Sequence, residues 1–484
     1  MKNLNRRQFL RQFSTTSVGT FLSVPFLPKF FQSGSKINKK PNIIFIMADD
    51  CSRDWLGCYG SKENVTPNLD KLAEEGIRFE TFWVTPLCTP TRNMLLTGRY
   101  PFRTGWIAHY DTPRWGGQFF DWNREITFAR VLKQAGYSTA IGGKWQINDF
   151  RVHPDALKRH GFDEHCIWSG FESGNSPSEK RYWDAYLITN GVRKIHKGEY
   201  GPDVVNEFLL DFIKRHKNGP FLVYYPMILT HGPYEPTPFN KNSIKDSSDK
   251  KELYSGMVQY ADYLIGRLVE ELDNLGIREN TVIFYTGDNG SSTGGKAWGE
   301  ERLNKGKGKR ADIGVHTPLI VNWPGTIRPG QVTDELSDIS DMLPTFAELA
   351  GASLPRNVKI DGQSIVSILL GQEGPRRKWI FSQLGKERLI RDKRYILHSD
   401  GRFYDLKTDP YEKNNLANSK DPEIIKAKIK LKKVLNSFPP DKKLTGFPPS
   451  YEELGKVPDL PPGSGKWKKF KVTKVKNKNR ASKQ

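Results

Sequence analysis

Cysteine is scarce in this 484-residue chain: Cys51, Cys58, Cys88 and Cys166 are the only four, and no two stand in a C-x-x-C pair. Such spacing excludes a disulfide-stapled scaffold, a zinc ribbon and a dithiol redox centre. Cys51 and Cys58 are close enough in sequence to pair outside the cytoplasm, although burial as small apolar residues is the expected role. Uninterrupted apolar runs of ~20 residues are missing, which excludes a polytopic membrane protein. No His or Cys pair sits at zincin spacing, and there is no internal repeat.

What is present is enough apolar material for a large core: 37% of the residues are apolar and 12 are Trp. The length allows two or three units, or one α/β body with a smaller appendage. The formal charge of +21 would suggest nucleic acid if it were spread along the chain,. It is not spread. Residues 1–40 carry eight basic residues and no acidic one, residues 466–484 carry nine and none, and the body between is close to neutral. No nucleic-acid partner is expected. The tail around Lys466, Lys468, Lys469, Lys471, Lys474 and Lys476 either attracts polyanions by counterion release or is a solvated end.

The N-terminus reads Arg6-Arg7-Gln8-Phe9-Leu10-Arg11, then a weakly apolar stretch from Phe13 to Leu27, then Pro28-Lys29. It resembles a twin-arginine export signal. Residues 1–35 are therefore expected to engage the twin-arginine machinery and direct the chain to the periplasm or the exterior, membrane-tethered if the leader is retained.

From Asn42 onward short apolar runs alternate with amphipathic helices, the pattern of an α/β fold with a parallel sheet. The clearest strands are Ile43–Met47, Ser138–Ile141, Phe221–Tyr225, Val282–Tyr285 and Leu319–Asn322. Helices are expected over Pro67–Glu75, with Thr66 as cap, and over Tyr254–Leu275. Two polar stretches, Asn240–Lys251 and Ser291–Arg310, read as long loops bordering a site. After about Ile368 short strands at Trp379–Gln383, Arg394–His398 and Arg402–Leu406 suggest a smaller antiparallel subdomain. The division expected is a catalytic domain over 40–367, an α+β subdomain over 368–437 and a Pro-rich then Lys-rich tail over 438–484.

Ligands of open α/β sheets bind beyond the carboxyl ends of the strands. Those ends offer Asp49-Asp50, Lys144, His231 in Thr-His-Gly-Pro, and Asp288-Asn289. Three carboxylates and an amide oxygen are hard ligands that suit Ca²⁺ or Mg²⁺; alternatively Asp49-Asp50 caps a following turn. Cys88 precedes Pro90, a first-turn proline, so it stands at the mouth of a helix whose free N–H groups favour an anion, with Arg92 one turn on. It is either an inert packed thiol or a nucleophile. The histidines 109, 153, 160 and 165 and the tryptophans 106, 115, 122, 168 and 183 form a candidate wall for sugar rings.

Cys88-Thr-Pro-Thr-Arg92 resembles the C-x-P-x-R signature of the type I sulfatases, in the alkaline-phosphatase-like superfamily. Further matching residues include Asp49-Asp50, Thr66-Pro-Asn-Leu-Asp-Lys-Leu-Ala73, Gly143-Lys144-Trp145, Gly287-Asp288-Asn289-Gly290 and Tyr404-Asp-Leu-Lys-Thr-Asp-Pro410, in order from Pro41 to about Ala417. The resemblance implies a large mostly parallel sheet flanked by helices, with a smaller C-terminal antiparallel sheet. It also implies that a separate maturation enzyme oxidises Cys88 to formylglycine, whose hydrated aldehyde supplies the nucleophilic hydroxyl. Asp49, Asp50, Asp288, Asn289 and the modified Cys88 would hold one Ca²⁺. Arg92 would steady the formylglycine, Lys144 and Lys307 would bind sulfate oxygens, and His231 would serve the departing alcohol oxygen. The implied substrate is a sulfated carbohydrate.

The chain departs from the family pattern at two places. Gln146 stands where many members have a histidine two residues after the Gly-Lys-Trp lysine, and it cannot act as a base near neutral pH, leaving it the role of orienting the diol. Asp312-Ile-Gly-Val-His316 replaces a common Glu-Gly-Gly pattern, and Lys307 is placed by its spacing ahead of Asp312, with Lys305 and Lys309 close by. Two other readings remain: a phosphodiesterase or phosphonate hydrolase of the same superfamily, and a glycan-binding pseudoenzyme.

Overall fold

The structure is a computed structural model that describes residues 39–442 apart from 63–65, 111, 113–119, 173–175, 244–246, 294–295, 298–299 and 302–304. The leader, Trp115 and the tail beyond 442 lie outside the described residues.

The chain begins its sheet with β1 (Asn42–Ala48), and β2 (Ile77–Trp83), β3 (Ser138–Lys144), β4 (Glu164–Trp168), β5 (Tyr186–Thr189), β6 (Val192–Ile195), β7 (Phe221–Pro226) and β8 (Thr281–Gly287) follow. Eleven described strands form one sheet, in the order Gln331–Thr333, β2, His316–Asn322, β8, β1, β7, β3, β4, β5, β6, with Ser337–Asp338 also on β2. At its centre β8, β1, β7, β3 and β4 are mutually parallel. Their carboxyl ends therefore all face one side.

Every residue of β1 is buried, as expected of a central strand covered on both faces. On one face Ile44 and Ile46 belong to a cluster with Tyr254, Met257, Leu264 and Ile265 of the Lys250–Asn274 helix. On the other, Phe45 and Phe284 meet Phe346 of the Met342–Leu349 helix at ring separations of 5.6 and 5.2 Å. Burying each such side chain contributes about 1.5–3 kcal/mol, so the central strands are the least movable part of the fold.

A second sheet of four antiparallel strands, Ile380–Leu384, Glu387–Arg391, Tyr395–His398 and Phe403–Asp405, follows near the C-terminus. Its Ile380, Leu389, Ile396 and Tyr404 join Trp83 and Val315 in a separate cluster. Asp312 bridges the two regions, accepting from Trp83 Nε1 at 2.9 Å and from Arg391 Nη1 at 2.9 Å.

Three expectations are corrected. Leu319–Asn322 lies within a strand that runs antiparallel to both β8 and β2, because an apolar run encodes burial and not direction. The chain returns from β8 without a long crossover helix, which permits antiparallel pairing. Thr66 does not cap its helix: Oγ1 accepts the Gly57 N–H at 2.9 Å and donates to Asp70 Oδ1 at 2.9 Å. The helix expected from Tyr254 begins at Lys250, because Asp249 accepts the N–H of Lys251 at 2.8 Å and so caps it earlier.

Candidate active site

Asp49 and Asp50 follow β1 directly, and Asp288 and Asn289 follow β8, its hydrogen-bonded neighbour. The Asp288 N–H continues the ladder to Ala48 O at 3.0 Å, and the Asp49 N–H reaches Leu229 O, beyond β7, at 2.8 Å. Asp50 adopts the left-handed backbone conformation, φ 64°, which is uncommon for a side chain with Cβ and concentrates at functional positions. That turn aims its N–H at Asp288 Oδ1, 2.9 Å away.

Cys88 opens the Cys88–Thr97 helix, after Leu87, which provides no side-chain cap. Its Sγ is 3.5 Å from Asp49 Oδ1 and 3.9 Å from Asp50 Oδ1. Burial, reinforced by the negative charges of Asp288 and Asp49, pushes the thiol pKa well up despite Lys144 and Lys307. Arg92, one helical turn later and wholly buried, places Nη2 2.7 Å from Asp288 Oδ2 and 3.6 Å from Asp49 Oδ1.

Lys144 ends β3 and is 1% exposed, with Nζ 2.6 Å from Asp49 Oδ2. Gly143 makes that approach possible. Its φ is +126°, and a Cβ there would lie 1.9 Å from Pro226 O of the neighbouring strand, so a side chain has no room. Among the three lysines near position 307, Lys307 is the one that reaches the cluster: Nζ is 2.6 Å from Asp50 Oδ2 and 2.8 Å from His231 Nε2. His231 Nδ1–H donates to Gly232 O at 2.6 Å, which fixes Nε2 as the acceptor from Lys307.

The charges balance as a set. Burial alone would raise Asp49, but Lys144, His231, Arg92 and Lys307 outweigh it and hold this carboxyl well below its usual range. Asp50 is lowered against burial by His231 and Lys307. Asp288, desolvated and beside Asp49, is pushed up to about 7 even with Arg92 and Lys144 near it. His231 is brought down to about 4 by burial, so its ring is neutral at neutral pH.

Asp49, Asp50, Cys88 and His231 each offer one ligand atom, all within 4.8 Å of one another. Asn289 donates Nδ2–H to Asp50 Oδ1 at 2.8 Å and to Gly290 O at 2.9 Å, while its Oδ1 is buried with no hydrogen-bond partner. A half-turn of the amide exchanges its two ends. An orphaned amide oxygen beside buried carboxylates fits an oxygen-seeking divalent cation.

Nine of the expected residues converge here, and Gln146 lies at the end of β3, buried, its backbone O taking the Thr112 N–H at 3.2 Å. Residues that sequence reasoning missed are Ser292, whose hydroxyl is 2.5 Å from Asp50 Oδ2, Tyr254, whose hydroxyl holds Asp50 O at 2.6 Å, and Thr89, whose Oγ1 is 2.9 Å from His109 Nδ1. Ser292 and Tyr254 stand in no distinctive motif, and Thr89 fills a variable position of Cys88-Thr-Pro-Thr-Arg92; only the fold shows what each of them touches. Part of the aromatic wall is packing, whereas His109, Trp122, His153, His165 and Trp183 are half-buried. Trp106 and Trp168 are fully buried, and His160 stacks on Phe120 at 4.3 Å. All four cysteines are free thiols.

Comparison with known proteins supplies the context for this cluster. Residues 41–352 match the family described as Sulfatase, and residues 309–438 match N-sulphoglucosamine sulphohydrolase, C-terminal. Arylsulfatase A of Bos taurus is 32% identical over 482 residues, with 87% of this chain and 92% of that protein covered. Steryl-sulfatase of Mus musculus is 30% identical over 422 residues covering 69% of this chain, which spans only 65% of that relative's length. The crystal structure of Ps i-CgsB in complex with k-i-k-neocarrahexaose is similar with a TM-score of 0.72 at 25% identity, covering 86% of this chain and 96% of that one.

Proposed function

The chain belongs to the sulfatase family, and from that premise we propose that it hydrolyses a sulfate ester on a sulfated sugar or polysaccharide fragment. The observation that carries this reading is Cys88 at a helix mouth, its Sγ against Asp49 and Asp50 inside a ring of Arg92, Lys144, Lys307 and His231. Family membership supports a dependence on calcium and formylglycine. Here Asp49, Asp50, Asp288 and Asn289 would hold the ion and Cys88 would become the formylglycine, together supplying an activated hydroxyl and a positive charge for a sulfate oxygen.

The chain's own residues account for the rest of the chemistry. Lys144 and Lys307 present ammonium groups to sulfate oxygens, and because both are already held by carboxylates they need no reorganisation as charge shifts,. Arg92 spans Asp288 and Asp49 and so fixes the wall behind Cys88. The proton that meets the departing oxygen is held on the Lys307 ammonium and His231 Nε2 pair, since His231 itself is neutral at neutral pH,. Gln146 orients without exchanging a proton.

A sugar substrate is supported by the likeness to a structure holding a neocarrahexaose and to an N-acetylgalactosamine-6-sulfatase of Canis lupus familiaris, 32% identical over 357 residues. The twin-arginine leader supports export to the periplasm or exterior, and a formylglycine-generating enzyme is the implied maturation partner. The catalytic domain is taken as 40–367 and the α+β subdomain as 368–437. Peptide mass spectrometry across Cys88, in protein from its own host, tests the reading together with sulfate and phosphate release from matched aryl esters. Formylglycine with sulfate release supports it; an unmodified thiol in every molecule, or dominant phosphate release, overturns it.

A further inference from the structure

Arg181 lies between β4 and β5 in sequence and flanks His231 on the side away from Lys307. Its guanidinium carbon stands 3.9 Å over the centre of the Trp168 indole. Trp168 is fixed in turn, 2% exposed and donating Nε1–H to Ser178 O at 2.9 Å. Stacking on an immobile ring holds the planar guanidinium in one orientation.

In that orientation one donor has no acceptor and another faces a nitrogen that already carries a hydrogen. Arg181 Nη1 is 3.4 Å from His231 Nδ1, but Nδ1 already gives its hydrogen to Gly232 O at 2.6 Å, so donor faces donor. Arg181 Nε is buried and has no hydrogen-bond partner. Glu235 feels its charge, yet among the described residues no carboxylate lies within ion-pair distance of Arg181. Next to it, Tyr182 and Trp183 tie the segment to the His231 loop: Tyr182 Oη donates to Ile228 O at 3.1 Å and to His231 O, and Trp183 Nε1 donates to Pro236 O at 2.8 Å. A cation without an ion-pair partner among the described residues is thus built rigidly beside the imidazole that faces the departing oxygen.

A planar guanidinium in this state matches a two-oxygen anion, which it can bind through paired N–H groups. We propose that Arg181 binds a second anionic group on the departing sugar or its neighbour, a carboxylate or a second sulfate, so that the preferred substrates carry a negative charge besides the scissile ester. This rests on the sulfate-ester reading above.

The test is sulfate release from three disaccharides that share one scissile ester: one otherwise neutral, one with a uronate carboxylate and one with a second sulfate. For the wild type kcat/KM is expected to be about tenfold or more higher on one charged disaccharide than on the neutral one. The disaccharide that benefits identifies the anion. Arg181→Gln is expected to bring that ratio close to one, and Arg181→Lys, which keeps charge but loses the fork, to give an intermediate ratio. If Arg181→Gln does not fold, the lysine variant decides alone. A merely structural role lowers all three rates together and leaves the ratio intact, which would overturn the proposal, as would a wild type with no preference. Release from the neutral disaccharide alone sinks only this proposal, whereas release from none of the three and from no aryl sulfate sinks the sulfatase reading with it.

Discussion

Arg92 and Asp288 form an ion pair of 2.7 Å with both side chains closed to solvent. Asp288 is pushed up to about 7 by burial and by Asp49 even with this partner beside it. Arg92→Gln removes the partner and leaves a buried carboxylate that must protonate or unfold its surroundings. The expected cost is about 3–5 kcal/mol of stability, read by urea unfolding, with turnover of an aryl sulfate reduced on the order of a hundredfold or more.

Calcium removal is expected to loosen the same corner. Chelation should lower the melting temperature and abolish sulfate release, with both restored by added calcium. At a hundredfold excess of the ion over its dissociation constant the linkage is worth about 2.7 kcal/mol. Asp50→Asn should make the melting temperature insensitive to calcium, measured by scanning fluorimetry with and without chelator.

Gly143→Ala places a Cβ 1.9 Å from Pro226 O at a φ of +126°. Neither backbone can yield without breaking the pairing of β3 with β7, so the variant should lose soluble yield or melt well below the wild type. A variant melting within a degree of wild type would contradict the packing described for this strand pair.

His160 gives the fold an acid-sensitive element. Burial lowers its pKa to about 3, against the donation of Nε2–H to Phe120 O at 3.0 Å, which raises it. An unfolded chain takes up this proton below about pH 6.5 while the folded one stays neutral until about 3, so stability falls as pH drops through that window. The contribution approaches about 1.4 kcal/mol per pH unit. His160→Gln keeps a donor near Phe120 O but does not titrate, and unfolding free energies at pH 7 and pH 5 should differ less for it than for the wild type.

The acidic part of the cluster was legible because it sits at strand ends, where short apolar runs stop at charged residues: Ile43–Met47 before Asp49, Val282–Tyr285 before Asp288. Strand direction was not legible, because the burial of Leu319–Asn322 looks the same from either direction. Nor was the second layer. Ser292, Tyr254 and Arg181 are ordinary residues until distant segments meet, and Arg181 is defined by Trp168 beneath it and by the His231 loop at its side. Trp106 and Trp168, read as part of a sugar wall, are core, since a large ring with one polar edge suits both uses and composition does not separate them.

Ala48 pairs with Gly287 in adjacent parallel strands, so Asp49-Asp50 and Asp288-Asn289, which follow, are spaced by the pitch of the sheet, about 4.8 Å, and not by a loop. Such a cradle resists gradual drift, because a slip of one residue would turn every side chain of β1 to the opposite face. The loops that carry Arg181 and His231 are under no such rule. The two parts can therefore vary independently, the strand-end cluster held by the sheet and the rim only by its loops.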